Sequence, residues 1–202
     1  MKLRICVVII LIFNFNLNGQ NNLSSQYQQE TKGYLAPGTT GMQGEVVFIS
    51  MPADAPEYSL VLESKEGTPI LKLRSFSRSY WLLYSHQTKT DNSMKYIEID
   101  STLSVVSKSF ADKIDLFFQS VLKDDPFLNA RRRPMALDDN AYWLMNNNCI
   151  RDFHAWDIST NQKYLKLVYI CERIAGDLKN NLSFNVEKYT DLIDSLLKTE
   201  IK

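Results

Sequence analysis

The sequence predicts an α+β fold: a mainly antiparallel β-sheet with about three helices packed on one face. Short segments rich in β-branched and aromatic residues dominate the first half of the chain, whereas helical apolar stripes dominate the second half. A returning hairpin separates the two kinds of segment. Strands that precede the helices, rather than alternating with them, are typical of an antiparallel sheet covered by helices.

The first strands are predicted before residue 75. Residues 45–51 are rich in Val, Ile and Phe, which favour a strand. Residues 58–62 and 70–74 alternate apolar with polar side chains on either side of the turn sequence Lys65-Glu66-Gly67-Thr68. This pattern predicts a hairpin with one buried face.

Two further strand pairs are predicted. Residues 80–84 and 96–99 contain closely spaced aromatic and apolar side chains and predict the first pair. Residues 141–145 and 150–156 predict the second pair. This pair flanks Asn146-Asn147-Asn148, and Asn tolerates the positive φ that a tight turn requires.

Three helices are predicted from apolar residues that recur at helical spacing. The first runs from residue 103 to residue 123, and Pro126 prevents its continuation. Its candidate capping residues are Asp100, Ser101 and Thr102. The second runs from 164 to 178. The third is the terminal helix, and Asn185 is placed to cap it.

The first nineteen residues predict a cleavable export signal. Lys2 and Arg4 precede an apolar run from Ile5 to Phe13, and a polar stretch that contains the small residue Gly19 follows. A membrane-spanning helix needs about 20 apolar residues, so this run is too short to be one. The alternative is a buried N-terminal strand. The signal predicts localisation in the periplasm or outside the cell.

Composition sets the remaining bounds. Residues 20–32 begin with a run of Gln, Asn and Ser, which predicts a disordered spacer, and residues 33–202 are predicted to form a single domain. The chain has 23 basic and 23 acidic residues, so its charge predicts no binding to nucleic acid. Its preference for Asn, Ile and Lys over Ala and Arg, with the short signal, indicates a bacterial protein.

Two cysteines remain after removal of the signal. Cys149 and Cys171 either form a disulfide or stay as two buried thiols, and the apolar helical position of Cys171 favours the thiols. Cys149 also has a candidate base in His154 and a candidate orienting carboxylate in Asp152 or Asp157. On a regular strand Cys149 faces the side opposite to His154 and Asp152, so this set requires a bend.

The candidate binding residues are basic and aromatic. The basic run holds an acidic group or forms a solvated loop, and it consists of Arg131, Arg132 and Arg133. Exposed aromatic side chains suit contacts with a protein or glycan ligand, whereas packing under the helices is the favoured alternative. The candidate residues are Trp81, Trp143 and Trp156. Strand alternation predicts that one member of each adjacent Tyr–Trp pair is buried and that the other is exposed.

No metal site or cofactor is predicted. The sequence has no Cys-x-x-Cys or His-Glu-x-x-His spacing, and the glycines from 38 to 44 lack the Gly-Lys-Ser/Thr ending of a phosphate loop. The sequence therefore favours an exported, non-catalytic binding or accessory protein. One concrete version is an immunity-type protein that neutralises a toxin in the periplasm. The alternative is a small cysteine-dependent hydrolase that uses Cys149 and His154.

Overall fold

The computed structural model describes residues 26–39, 45–85, 97–123, 140–146, 149–154, 162–180 and 184–198. The export signal predicted at residues 1–19 lies outside this set. No helix in the described ranges is both long and apolar enough to cross a membrane.

Six strands form one sheet whose neighbouring strands are all antiparallel, in the order β4-β3-β2-β1-β5-β6. The strands are β1 (Val46–Met51), β2 (Tyr58–Lys65), β3 (Thr68–Phe76), β4 (Ile99–Val105), β5 (Ala141–Asn146) and β6 (Cys149–His154). The described helices are α1 (26–35), α2 (Tyr80–Ser85), α3 (Lys108–Lys123), α4 (Gln162–Lys179) and α5 (Val186–Lys198). The predicted α+β class with an antiparallel sheet is confirmed.

Helices cover both faces of the sheet, which corrects the prediction of about three helices on one face. On face 1, helices α3, α4 and α5 pack on strand residues that include Val46, Phe48, Leu60, Leu144 and Phe153. On face 2, helices α1 and α2 pack on strand residues that include Val47, Ile49, Met51, Trp143 and Met145. The apolar side chains therefore form two cores, separated by the sheet.

The central strands show why both faces are covered. Every residue of β1 (VVFISM) and of β5 (AYWLMN) is buried, whereas exposed and partly buried residues alternate along most of β4. A strand with an apolar layer on each face needs apolar side chains at successive positions, and an outer strand does not. The continuous apolar runs of β1 and β5 were the signal for a second layer of helices.

Residues 80–84 form helix α2, so the strand predicted there is wrong. The backbone N–H of Leu82 donates to the Ser79 hydroxyl, which caps the helix. The N–H groups of Tyr80 and Trp81 donate to the Glu57 carboxylate. A distant carboxylate and a local cap thus override the strand preference of a Tyr-Trp sequence.

The helix predicted from residue 103 begins instead at Lys108. Residues 99–105 form β4, which pairs with β3 along its whole length. The Ser107 hydroxyl accepts a hydrogen bond from the N–H of Phe110 at 3.2 Å and caps α3. Leu103 lies on the helical spacing of α3 by coincidence, and pairing with β3 determines its conformation.

The disordered spacer predicted at residues 20–32 overlaps α1 from residue 26 onward. Tyr27 is buried against face 2, and the Ser59 hydroxyl donates to the carbonyl oxygen of Leu35 at 2.6 Å. Lys32 forms an ion pair with Asp152 at 2.7 Å. These contacts with the sheet stabilise a helix whose polar composition alone predicts disorder.

The hairpin and the cap of the last helix agree with the sequence predictions. β2 and β3 meet at a two-residue turn in which Glu66 has φ 53° and Gly67 has φ 80°. β5 and β6 form the hairpin predicted around the Asn triplet. The Asn185 side chain accepts a hydrogen bond from the N–H of Lys188, as a helix cap does.

Candidate functional site

The predicted nucleophile and its carboxylate lie on opposite faces of the sheet. Cys149 is partly buried against the face 1 core, with its Sγ 3.9 Å from the carbonyl oxygen of Leu122. Asp152 lies on face 2, where its carboxylate binds Lys32. The side chain of His154 lies outside the described part of the structure. Strand β6 therefore does not bring Cys149 and Asp152 together.

Both cysteines in the described part of the chain are free thiols. Cys171 is buried on α4, and burial raises the pKa of its thiol well above the usual value. It borders an apolar cavity of about 20 Å³ between the sheet and the face 1 helices. That volume is close to one water molecule, so the cavity has no room for a substrate.

The candidate aromatic contacts Trp81 and Trp143 are both buried, which agrees with packing under the helices and not with a contact to a ligand at the surface. Trp81 is 6% exposed and Trp143 is 8% exposed, and their neighbours Tyr80 and Tyr142 are buried as well. The Lys32 ammonium lies 5.1 Å from the centre of the Trp143 ring. The expected alternation fails at Tyr142–Trp143 because each face of the sheet has its own core, and it fails at Tyr80–Trp81 because these residues form part of helix α2. Trp156, Asp157, Arg131, Arg132 and Arg133 lie outside the described residues.

A buried carboxylate on face 2 was not anticipated from the sequence. Glu57 is fully buried, and its carboxylate accepts hydrogen bonds from the Tyr27 hydroxyl at 2.6 Å and from the backbone N–H groups of Tyr80 and Trp81 at 2.7 Å. Burial raises its pKa. All three donors belong to α1 or α2, so Glu57 joins both helices to the sheet and is closed to solvent.

A second carboxylate lies at the rim of the face 1 core. The Tyr142 hydroxyl donates to Glu172 on α4, and burial raises the pKa of Glu172. Burial and the nearby carboxylate raise the pKa of Tyr142 to about 12. Both groups therefore keep their protons to a higher pH than usual. The contact links α4 to β5.

Strand β4 is the outermost strand on its side of the sheet, and no other strand in the described ranges pairs with its free edge. The ladder between β3 and β4 continues through Val106, whose N–H donates to the carbonyl of Pro69, and through Ser77, whose N–H donates to the carbonyl of Glu98. Hydrogen-bonded pairs alternate along an antiparallel ladder, so the even-numbered residues of β4 bond to β3. The odd-numbered residues direct their N–H and C=O groups outward. They are Ile99, Ser101, Leu103 and Val105, and we call them the β4 edge.

The β4 edge is also apolar. Leu103 is 62% exposed and Val105 is 69% exposed, the highest values among the large apolar side chains that the structure describes. They lie on face 2, on the same side as Ile99, which packs beside the α1–α2 core. The strand IDSTLSV contains no Lys or Pro, the residues with which outer strands commonly prevent pairing. Its chemistry suits the addition of another strand.

Within the described ranges, no group of three or more His, Cys, Asp or Glu side chains is arranged to hold a metal ion. Comparison of the chain with family models, with curated proteins and with solved structures gave no match.

Proposed function

We propose that this protein is an exported, non-catalytic binding or accessory module that contacts a partner protein through the β4 edge. The observation that carries the proposal is the outer strand β4, on which Leu103 and Val105 project into solvent beside backbone groups that no other described strand pairs with. Extended peptides commonly bind such edges, because main-chain hydrogen bonds supply affinity and alternate side chains supply specificity.

The separation of Cys149 from Asp152 supports a binding role over a hydrolase that would use these two residues together. The Cys149 sulfur contacts the Leu122 carbonyl, while Asp152 pairs with Lys32 on the other side of the sheet. Cys171 is held as a neutral thiol in an apolar core. Nucleophilic catalysis requires a thiolate with a base within hydrogen-bond reach.

Export to the periplasm or beyond is proposed from the N-terminal sequence, in which a basic start, a short apolar run and Gly19 have the order of a signal. In that compartment, an immunity-type protein that blocks a toxin is one function that strand addition at β4 would serve. The run Arg131–Arg133 is the alternative contact surface.

The test is affinity capture from the exported fraction with the natural partner quantified by mass spectrometry. The double variant Leu103→Lys/Val105→Lys is expected to capture at least about tenfold less partner than wild type, because two charges then oppose strand addition. The matched control is Leu165→Lys/Tyr169→Lys, which alters two exposed side chains on α4.

Wild type, the α4 control and Cys149→Ser are expected to capture equal amounts of partner. Equal capture by the β4 double variant would contradict the proposal. Loss on Arg132→Glu, with the β4 variant unaffected, would instead locate the contact at the arginine run.

A further inference from the structure

We infer that the β4 edge takes an extended segment that carries both apolar and acidic side chains, and that Arg74 binds its acidic group. This inference rests on the proposed binding function and adds the chemistry of the partner. Three features of the sheet carry it: the direction of the free backbone groups, the apolar side chains on face 2, and the position of Arg74.

The backbone sets the shape of the ligand. The four residues of the β4 edge offer alternating N–H and C=O groups over the seven-residue length of β4. A partner segment in the extended conformation matches this spacing, because strand residues repeat every two positions on each face. A helix does not present its backbone groups to a neighbour. The ligand is therefore a strand of about seven residues.

The side chains on face 2 of β4 favour apolar side chains in the partner segment. Val105 is paired with Ile70 and Leu103 with Lys72, so the two exposed apolar residues adjoin one partly buried apolar neighbour and one aliphatic stem. A partner strand places every second side chain on the same face. Apolar side chains at two such positions would cover Leu103 and Val105 and remove them from water.

Arg74 sets the charge of the ligand. It lies on face 2 beside Ser101 of the β4 edge, and it is partly buried. Its side chain makes no ion pair or hydrogen bond in the structure as described. Because its neighbour Ser101 has a short side chain, a long side chain at position 74 can extend across β4 toward an added strand. A partly desolvated guanidinium favours a carboxylate, which it can bind through two parallel hydrogen bonds.

The neighbouring charges agree with an acidic ligand. Lys72 is the next cation along face 2 of β3, and its ammonium is 3.9 Å from the Glu63 carboxylate. The only acidic residue of β4 is Asp100, which pairs with Ser75 and lies on face 1. A second copy added by its own β4 edge would bring no carboxylate of its β4 strand to the face on which Arg74 lies. This charge pattern favours a segment of a different protein as the partner.

The test uses two synthetic peptides, acetyl-Thr-Val-Thr-Val-Thr-Glu-Thr-amide and its counterpart with Lys in place of Glu. In the antiparallel orientation the two Val side chains and the Glu side chain face Val105, Leu103 and Ser101 in turn. Fluorescence anisotropy of labelled peptides is expected to give binding of the Glu peptide at least about tenfold tighter than that of the Lys peptide, with the difference reduced by salt.

The charge-reversal variant Arg74→Glu is expected to invert this preference. Arg173→Glu is the matched control, since it makes the same charge change at an exposed position on α4, away from the β4 edge, and it is expected to leave the preference unchanged. Equal binding of both peptides to wild type, no binding of either, or an unchanged preference in Arg74→Glu would overturn the inference.

Different results would contradict the binding function and the acidic character of the partner. If the natural partner is captured through the β4 edge while the peptides show no charge preference, that result would support the binding function and contradict the acidic character inferred for the partner segment. If sedimentation detects a dimer that Leu103→Lys abolishes, the occupant is a second copy and the inference is overturned. Far-ultraviolet circular dichroism of each variant checks that the sheet is retained.

Discussion

The hydroxyl of Tyr27 on α1 donates to the fully buried carboxylate of Glu57 at a distance of 2.6 Å. The two residues are 30 positions apart, and the carboxylate also accepts the first N–H groups of α2. One acidic side chain thus positions both helices that cover face 2. The edges of this helical layer leave Leu103 and Val105 in solvent.

Tyr27→Phe is expected to lower the free energy of unfolding by about 1–3 kcal/mol, because the buried carboxylate then lacks one of its donors. Urea denaturation monitored by circular dichroism measures this change. The matched control is Tyr34→Phe, which removes a hydroxyl from a tyrosine that is about half exposed, and its effect should stay within about 0.5 kcal/mol. Equal effects of both variants would contradict the role of Glu57.

The stability of the protein is expected to fall as the pH rises above about 4.5. Burial raises the folded-state pKa values of Glu57 and Glu172 from the ordinary value of 4.5. Near these pKa values the folded chain therefore binds more protons than the unfolded chain. The stabilisation that results is complete below about pH 4.5 and is lost as the pH rises through the pKa values of the folded state.

Glu57→Gln should flatten this part of the pH profile, because a group that does not titrate replaces one with a raised pKa. Free energies of unfolding measured in urea at several pH values between about 4 and 8 test the expectation. A profile of the variant that runs parallel to that of wild type would show that Glu57 does not titrate in this range.

Both thiols are expected to be reduced in the mature protein. Denatured, non-reduced protein should give one equivalent of thiol for Cys149 and one for Cys171 when it reacts with a chromogenic disulfide. In native protein Cys171 should be unreactive, because its thiol is buried and its pKa is raised. The absence of thiol in the denatured sample would reveal a disulfide and contradict the structure.

A substitution in the turn between β2 and β3 is expected to raise the stability of the protein. Glu66 has φ 53°, and Asn is the residue that favours this position before a glycine in a two-residue hairpin. Glu66→Asn should raise the free energy of unfolding by about 0.5–1 kcal/mol.

Gly67→Ala should have the opposite effect and cost about 1–2 kcal/mol. A Cβ at Gly67 would meet no atom within 4 Å, so this cost reflects its φ of 80° alone. Thermal denaturation of both variants measures the two shifts, and a neutral Gly67→Ala would contradict the turn geometry.

The sequence predicts the strands and helices with strong local signals and misses those that depend on distant partners. The hairpin at Glu66-Gly67 and the cap at Asn185 are local, and the structure has both. Helix α2 depends on Glu57, which lies 23 residues before its first helical residue. The pattern of residues 80–84 alone does not contain this contact.

The β4 edge could not be predicted from the sequence either. Leu103 fits the helical spacing of α3, so nothing local marks it as part of an outer strand. Its exposure follows from the strand order β4-β3-β2-β1-β5-β6, which is a property of the whole chain. By contrast, Trp81 and Trp143 are conspicuous in sequence and buried in the structure, because the continuous apolar runs of β1 and β5 are covered on both faces.

Amide hydrogen exchange along β4, measured by NMR with and without the captured partner, tests the central claim most directly. In the protein alone, the amides of the even-numbered residues Asp100, Thr102 and Ser104 should exchange slowly, because they bond to β3. Those of the β4 edge should exchange fast. Binding should slow Ser101, Leu103 and Val105 selectively. If the partner binds and these amides still exchange fast, the protein does not bind by strand addition at β4.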